Sequence, residues 1–180
     1  MLITPVASAK EICIKWALSL TPDKRMKLRF SFLALHVLLP VLAGGLIYIC
    51  WRDPDLFMFR WFGAVGLGTL VNDLRAAVAG AQPGLPRWFL YCLPDGLWVY
   101  ALTAFMLRIW SGKRSSVLAI AWISLGLVIG AGSELGQLAG IVPGAFDRVD
   151  LFFSIFAAGL AIFFAAISST IKRSLNEASL

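Results

Sequence analysis

Charge is scarce in this sequence. Asp, Glu, Lys and Arg make up 14% of its 180 residues, where a soluble domain carries about 25%. Histidine is limited to His36, and the cysteines Cys13, Cys50 and Cys92 have no CxxC spacing. A zinc site of the usual Cys/His kind is therefore not expected, and Cys50 and Cys92 read as buried free thiols. The chain has no P-loop, no HExxH motif and no Ser/His/Asp set. Residues 1–29 lack an apolar core followed by a small-residue cleavage site, so they do not read as a signal peptide. No internal repeat or low-complexity tract is present.

What fills the chain instead is apolar. Hydrophobic residues account for 59%, with a mean hydropathy of +0.82. An all-α integral membrane protein with about four transmembrane helices is the expectation. Four spans of about 20 residues leave no room for a separate soluble domain. The spans fall at 32–50, 88–107, 115–136 and 150–171, within a single transmembrane domain at 32–171. Residues 1–31 read as a cytoplasmic leader whose stretch EICIKWALSL, 11–20, is weakly amphipathic, and 172–180 as a cytoplasmic tail. The segment at 56–71, LFMFRWFGAVGLGTLV, holds Arg60, Gly63, Gly66 and Gly68. It is short for a span and a buried Arg is costly, so it reads as interfacial or re-entrant, with a fifth crossing as the alternative.

The net charge of +6 is explained by topology rather than by nucleic-acid binding, because the basic residues flank apolar runs. With both termini cytoplasmic, Lys10, Lys15, Lys24, Lys27, Lys113 and Lys172 all fall inside, whereas Arg52, Arg60, Arg75, Arg87 and Arg148 fall outside. Asp53, Asp55, Asp73, Asp95, Glu134, Asp147 and Asp150 gather on that outer side too.

Glu134 and Gln137 share a helix face near the end of the third span. Val142-Pro143-Gly144 makes a turn, after which Asp147 suits a helix N-cap and Asp150 falls in the first helical turn. Capping accounts for the two aspartates and leaves Glu134 unexplained. Pro94 suits a first helical turn, which starts a helix at Pro94 and puts Asp95 at or somewhat below the outer interface. Trp98 and Tyr100 read as packing and anchoring groups, and His36 as a structural hydrogen-bonder. Asp73 and Arg75 either form a solvated cap or face the same outer pocket. Gly44-Gly45 and Gly126 to Gly136 offer small-residue faces for packing within the chain or for dimerisation.

The run Ser133-Glu134-x-x-Gln137, followed by Pro143-Gly144-Ala145-Phe146-Asp147-x-x-Asp150, resembles the signature of the VanZ-like family. These are small bacterial membrane proteins, named for a member linked to resistance to the glycopeptide antibiotic teicoplanin. Leu93-Pro94-Asp95-Gly96-Leu97-Trp98-x-Tyr100 is similar to a variant of that family's earlier Asp-containing motif. The likeness covers 88–165. Gly96, Ala145 and Ser154 depart from the residues usual in the family at those positions. The resemblance implies a bacterial cytoplasmic-membrane protein of the cell envelope, related to antibiotic resistance.

The expected function is binding of a polar headgroup or a glycopeptide-related ligand at an outer site built from Asp73, Arg75, Asp95, Glu134, Gln137, Asp147 and Asp150. There the acids face cationic or hydroxyl groups, and Arg60, Arg75, Arg87 or Arg148 holds phosphate or carboxylate. One alternative is an enzyme on a lipid-linked substrate, with Glu134 as general base and Asp147 and Asp150 holding a divalent cation; otherwise no cofactor is evident. A small transporter subunit fits less well, since its site would lie near the midplane. A structural partner in a larger membrane complex is the remaining reading.

Overall fold

A computed structural model describes residues 30–111 and 116–177, with side-chain surroundings through Ser168. The expected leader, apart from its last two residues, lies outside this range, as does Cys13. Every element among the described residues is helical. Three helices, or four if one bent pair is counted as a single span, are long and apolar enough to cross a membrane.

Helix α1 is Phe30–Trp51. It carries a π turn at Ala34–Leu38, closed by the Leu39 N–H donating to the Ala34 carbonyl. Pro40 explains the wide turn: it has no N–H, and its ring crowds the carbonyl four residues back, that of His36. The His36 ring pairs through Nδ1 with the Tyr100 hydroxyl, so the histidine has the structural partner expected of it.

After α1 the chain makes two short helices, α2 at Phe57–Ala64 and α3 at Gly68–Val78. They are separated by a break in which Gly66 takes φ +80°, a conformation glycine adopts without strain. The 56–71 segment thus covers α2, the Gly66 break and the first turn of α3, and neither helix is long enough to cross a membrane. The fifth-crossing alternative has no helix to support it. A 3-10 turn at Ala79–Gly84 leads on to α4, Arg87–Ile109.

Helix α4 is the centre of the bundle. Half of its most apolar window is buried inside the protein, against 28% for the last helix and 17% for α1. It runs unbroken through Pro94, which corrects the expectation that a helix starts there. Pro94 is fully buried, and the backbone of Gly96 lies close enough to Phe153 that an added Cβ would sit 3.4 Å from it. Packing on both sides holds the helix together where propensity alone would end it. Asp95 consequently lies eight residues from the start of α4, roughly 12 Å along the axis.

The third expected span is two helices, α5 at Val117–Ile123 and α6 at Leu125–Leu138, bent by 55°. Ser124 sits at the junction, with its hydroxyl donating to the Ala121 carbonyl at 3.1 Å. Ser/Gly pairs are a recognised cause of such bends. The bend brings Gly126 and Gly130 against α4 and the last helix. A Cβ on Gly126 would lie 2.8 Å from Thr103 Oγ1 and 3.1 Å from the Val99 carbonyl. A Cβ on Gly130 would lie 2.8 Å from Ser154 Oγ. These glycines serve packing within the chain.

Helix α6 ends at Gly140, which takes φ +70° while the Ile141 N–H donates to the Gly136 carbonyl at 2.8 Å. The last helix, α7, is Arg148–Glu177, with its span-length part at Arg148–Ser168. It packs on α4 through small residues. Ala161 and Ala165 meet Ala104 and Leu107 in one cluster, and Ala157 and Ala158 meet Val99 in another. Small side chains allow the two backbones to approach closely. The outward faces carry large apolar groups such as Leu42, Val128, Phe156 and Phe163.

The glycine contacts give a direct test. Gly126→Val is expected to cost about 1–3 kcal/mol through overpacking, seen as a lower Tm of the detergent-solubilised protein. Gly45→Ala, where a Cβ meets open space, should cause no loss. Equal Tm values for both variants would show that the α4–α6 contact yields to an added side chain and does not hold the helices at a fixed distance.

Candidate functional site

The C-terminal ends of α1 and α6 and the N-terminal parts of α4 and α7 meet at one end of the bundle. A cavity of about 390 Å³ lies between them. Asp95, Glu134, Gln137 and Asp150 line it, together with Arg52, Trp98, Ser133 and Ser154. Four of the residues expected to form a polar cluster are therefore brought together. Asp147 stands at its rim and does not line it.

The key connection joins α6 to α7. Glu134 is 8% exposed, and its Oε2 accepts the backbone N–H of Asp147 at 2.9 Å. Asp147 in turn accepts the Val149 N–H at 2.8 Å through Oδ1 and is the N-cap of α7, as expected. In a self-contained capping box, the acid three residues after the N-cap reaches back to the N-cap N–H. Asp150 holds that position, but Glu134 has taken its partner. Asp150 Oδ1 is left buried with no hydrogen-bond partner. This corrects the sequence reading on both residues: Glu134 is the one that completes the cap, and Asp150 is the one that capping leaves unexplained.

Gln137 lies one turn beyond Glu134 and packs on the turn that joins the two helices. Gly144 takes φ +139°, and a Cβ there would come within 2.8 Å of the Gln137 amide. Only glycine meets both the dihedral and the space. Ser133 donates to the Gly130 carbonyl at 2.7 Å, and Ser154, 2% exposed, contributes a deeply buried hydroxyl to the wall.

The cation of the site is Arg52, which sequence reasoning grouped with these acids but left out of the ligand-holding arginines. Its Nη2 is 3.7 Å from Asp95 Oδ2. Its guanidinium lies 5.0 Å from the ring centres of both Tyr48 and Tyr91, one from α1 and one from α4. Tyr48 precedes Arg52 by four residues, as Tyr91 does Asp95, and that spacing is the signal that could have revealed the clamp.

Arg75 does not enter the cavity. Its two terminal nitrogens donate to the Ile49 and Arg52 carbonyls at 2.8 Å each, so it caps the C-terminal end of α1. It also lies 4.9 Å from the Phe59 ring centre. Asp73 is exposed and outside the cavity. The expectation that Asp73 and Arg75 face the pocket is thus replaced by an anchoring role for Arg75, which holds the backbone of the very residue that supplies the site's cation. Trp98 packs on Tyr48 at 5.2 Å between ring centres while forming part of the cavity wall. Cys50 and Cys92 are buried and free, as expected.

Comparison with family models, with curated proteins and with solved structures finds no match to this chain.

The two roles of Glu134, hydrogen-bond acceptor and charge, can be separated. Glu134→Ala removes the acceptor from a partly buried N–H and should cost about 1–3 kcal/mol. Glu134→Gln retains an acceptor and should lose less than half as much. Thermal unfolding of both variants in the same detergent checks this; equal losses would show that charge, not the hydrogen bond, ties α6 to α7.

Proposed function

We propose that this chain is an integral membrane protein of about four spans whose cavity binds the polar headgroup of a lipid or lipid-linked molecule on the outer membrane face. The observation that carries the reading is the convergence of Asp95, Glu134, Gln137 and Asp150 around one cavity in an otherwise apolar bundle. The three carboxyl groups outnumber the single guanidinium of Arg52, which is already near Asp95. Carboxylates drawn into an apolar bundle, one buried and two half-buried, need partners, and ammonium or hydroxyl groups of a headgroup supply them. The lysine asymmetry in the sequence supports placing this end of the bundle outside.

Arg52 suits the anionic part of such a ligand. Its Nε is buried without a hydrogen-bond partner, its plane is held between two tyrosines, and a guanidinium fork matches phosphate or carboxylate geometry. A volume of about 390 Å³ falls within the usual range of small-molecule sites. Glu134, anchored by the Asp147 N–H, fits a fixed recognition group better than a mobile base. The resemblance to the VanZ-like family supplies a narrower form of the same proposal, in which the ligand is a glycopeptide-related molecule of the bacterial envelope.

Native mass spectrometry of the protein released from mixed phosphatidylethanolamine and phosphatidylglycerol nanodiscs tests the reading. Phosphatidylethanolamine, with its ammonium and phosphate, should be retained several-fold over phosphatidylglycerol, and Glu134→Gln or Asp95→Asn should erase the preference. Equal retention by the unaltered protein would sink it. Sidedness is checked separately in whole cells. Cysteines placed at exposed positions 73 and 147 should react with an impermeant maleimide, and protection of both would reverse the orientation.

A further inference from the structure

Cys92 lies three residues before Asp95 in α4, is 3% exposed, and is not among the residues that line the cavity. Its Sγ and one carboxylate oxygen each from Asp147 and Asp150 all lie within 4.8 Å of one another. Two of these groups would be unremarkable if capping accounted for them. Asp147 does cap α7, but through Oδ1 alone, which leaves Oδ2 for another partner. Asp150 makes no reach-back bond, because the Asp147 N–H is held by Glu134, and its Oδ1 is buried and unpartnered. The Cys92 thiol faces the Asp150 carboxylate as a weak hydrogen-bond donor and brings no charge to balance it, so a cation is the partner that would satisfy thiol and carboxylates together. The positive N-terminal end of α7 provides part of that stabilisation and no ligand atom for either oxygen.

We propose that Cys92, Asp147 and Asp150 form a binding site for a divalent transition-metal cation of the Zn²⁺ class. One sulfur and two carboxylate oxygens match the ligand types that Zn²⁺ takes, whereas Ca²⁺ and Mg²⁺ require more oxygens and no thiolate. With Zn–S near 2.3 Å and Zn–O near 2.0 Å, tetrahedral ligand atoms stand about 3.3–3.5 Å apart, so the three groups need close in by no more than about 1.5 Å on binding. The thiol proton leaves as the metal–sulfur bond forms: Cys–SH plus M²⁺ gives Cys–S–M⁺ and H⁺. The fourth coordination position is open to water or to a ligand group. The metal would join α4 directly to the start of α7, a connection that the hydrogen bond from Glu134 makes only between α6 and α7. The sequence concealed this site because its soft ligand comes from a helix some 55 residues before the acids, roughly two spans away. The site shares Asp150 with the cavity of the headgroup reading, and its other two ligands, Cys92 and Asp147, do not line that cavity.

Cobalt(II) titration of the full chain in detergent is the test, because a direct Co²⁺–thiolate bond produces a near-ultraviolet charge-transfer absorption. A single equivalent should develop that absorption and Zn²⁺, but not Mg²⁺, should abolish it. The double variant Cys13→Ser/Cys50→Ser, in which Cys92 is the remaining thiol, should keep it. Cys92→Ser should lose it, and Asp150→Asn should weaken cobalt binding by at least about tenfold. Absence of the absorption from the unaltered chain, or its survival in Cys92→Ser, would overturn the proposal. If Cys92→Ser does not fold, the Asp150→Asn arm decides: undiminished affinity there overturns it equally. A failed cobalt titration with an intact preference for phosphatidylethanolamine would remove the metal and leave the headgroup proposal standing.

Discussion

The hydrogen bond from the Asp147 N–H to Glu134 organises the polar end of this protein. It joins the end of α6 to the start of α7 across a turn whose backbone requires glycine at Gly140 and Gly144. It also gives a buried carboxylate a fixed donor, which a largely apolar helix end would otherwise deny it. Its further consequence is negative. By occupying the N–H that Asp150 would have used, it leaves Asp150 Oδ1 without a partner in the interior. The unmet chemistry of the site follows from that one substitution of partners.

A second tier of contacts fixes the cationic side. Arg75 holds the last carbonyls of α1, including that of Arg52, and Arg52 extends between Tyr48 and Tyr91 towards Asp95. One arginine therefore positions the backbone from which the other reaches. The short helices α2 and α3 serve the same end: α3 carries Arg75, and α2 carries the Phe59 ring beneath it. A segment that read as interfacial or re-entrant leads into a brace for the end of α1. The close α4–α7 contact does the equivalent for the acids. Alanines along α7 let the helices approach, and Gly96 beside Phe153 keeps the distance short near Asp95.

Local chemistry made several features legible in the sequence. The apolar runs announced helices of span length, because burying or lipid-facing side chains need no partner to declare themselves. Asp147 announced an N-cap after a Pro-Gly turn, and His36 a structural contact. Other features were legible only in part. Pro94 reads as a helix start, since a missing N–H is cheapest there, but packing on Pro94 and Gly96 carries the helix through and leaves Asp95 about two turns in from its start. The Ser124–Gly126 bend was hidden inside one apolar run because hydropathy records composition and not direction.

By itself the sequence determined an all-helical chain with apolar surfaces, a small set of acids near helix ends, and the turn chemistry that lets α6 hand over to α7. Those properties depend on residues within a few positions of one another. Tertiary structure alone decided which acid caps and which is left unpaired, which arginine faces the cavity, and that the Cys92 thiol meets Asp147 and Asp150. Each of these is a competition between partners far apart in the chain for one donor or one space. Spacing along a sequence cannot rank such partners, because the outcome is set by distances of a few ångströms between helices.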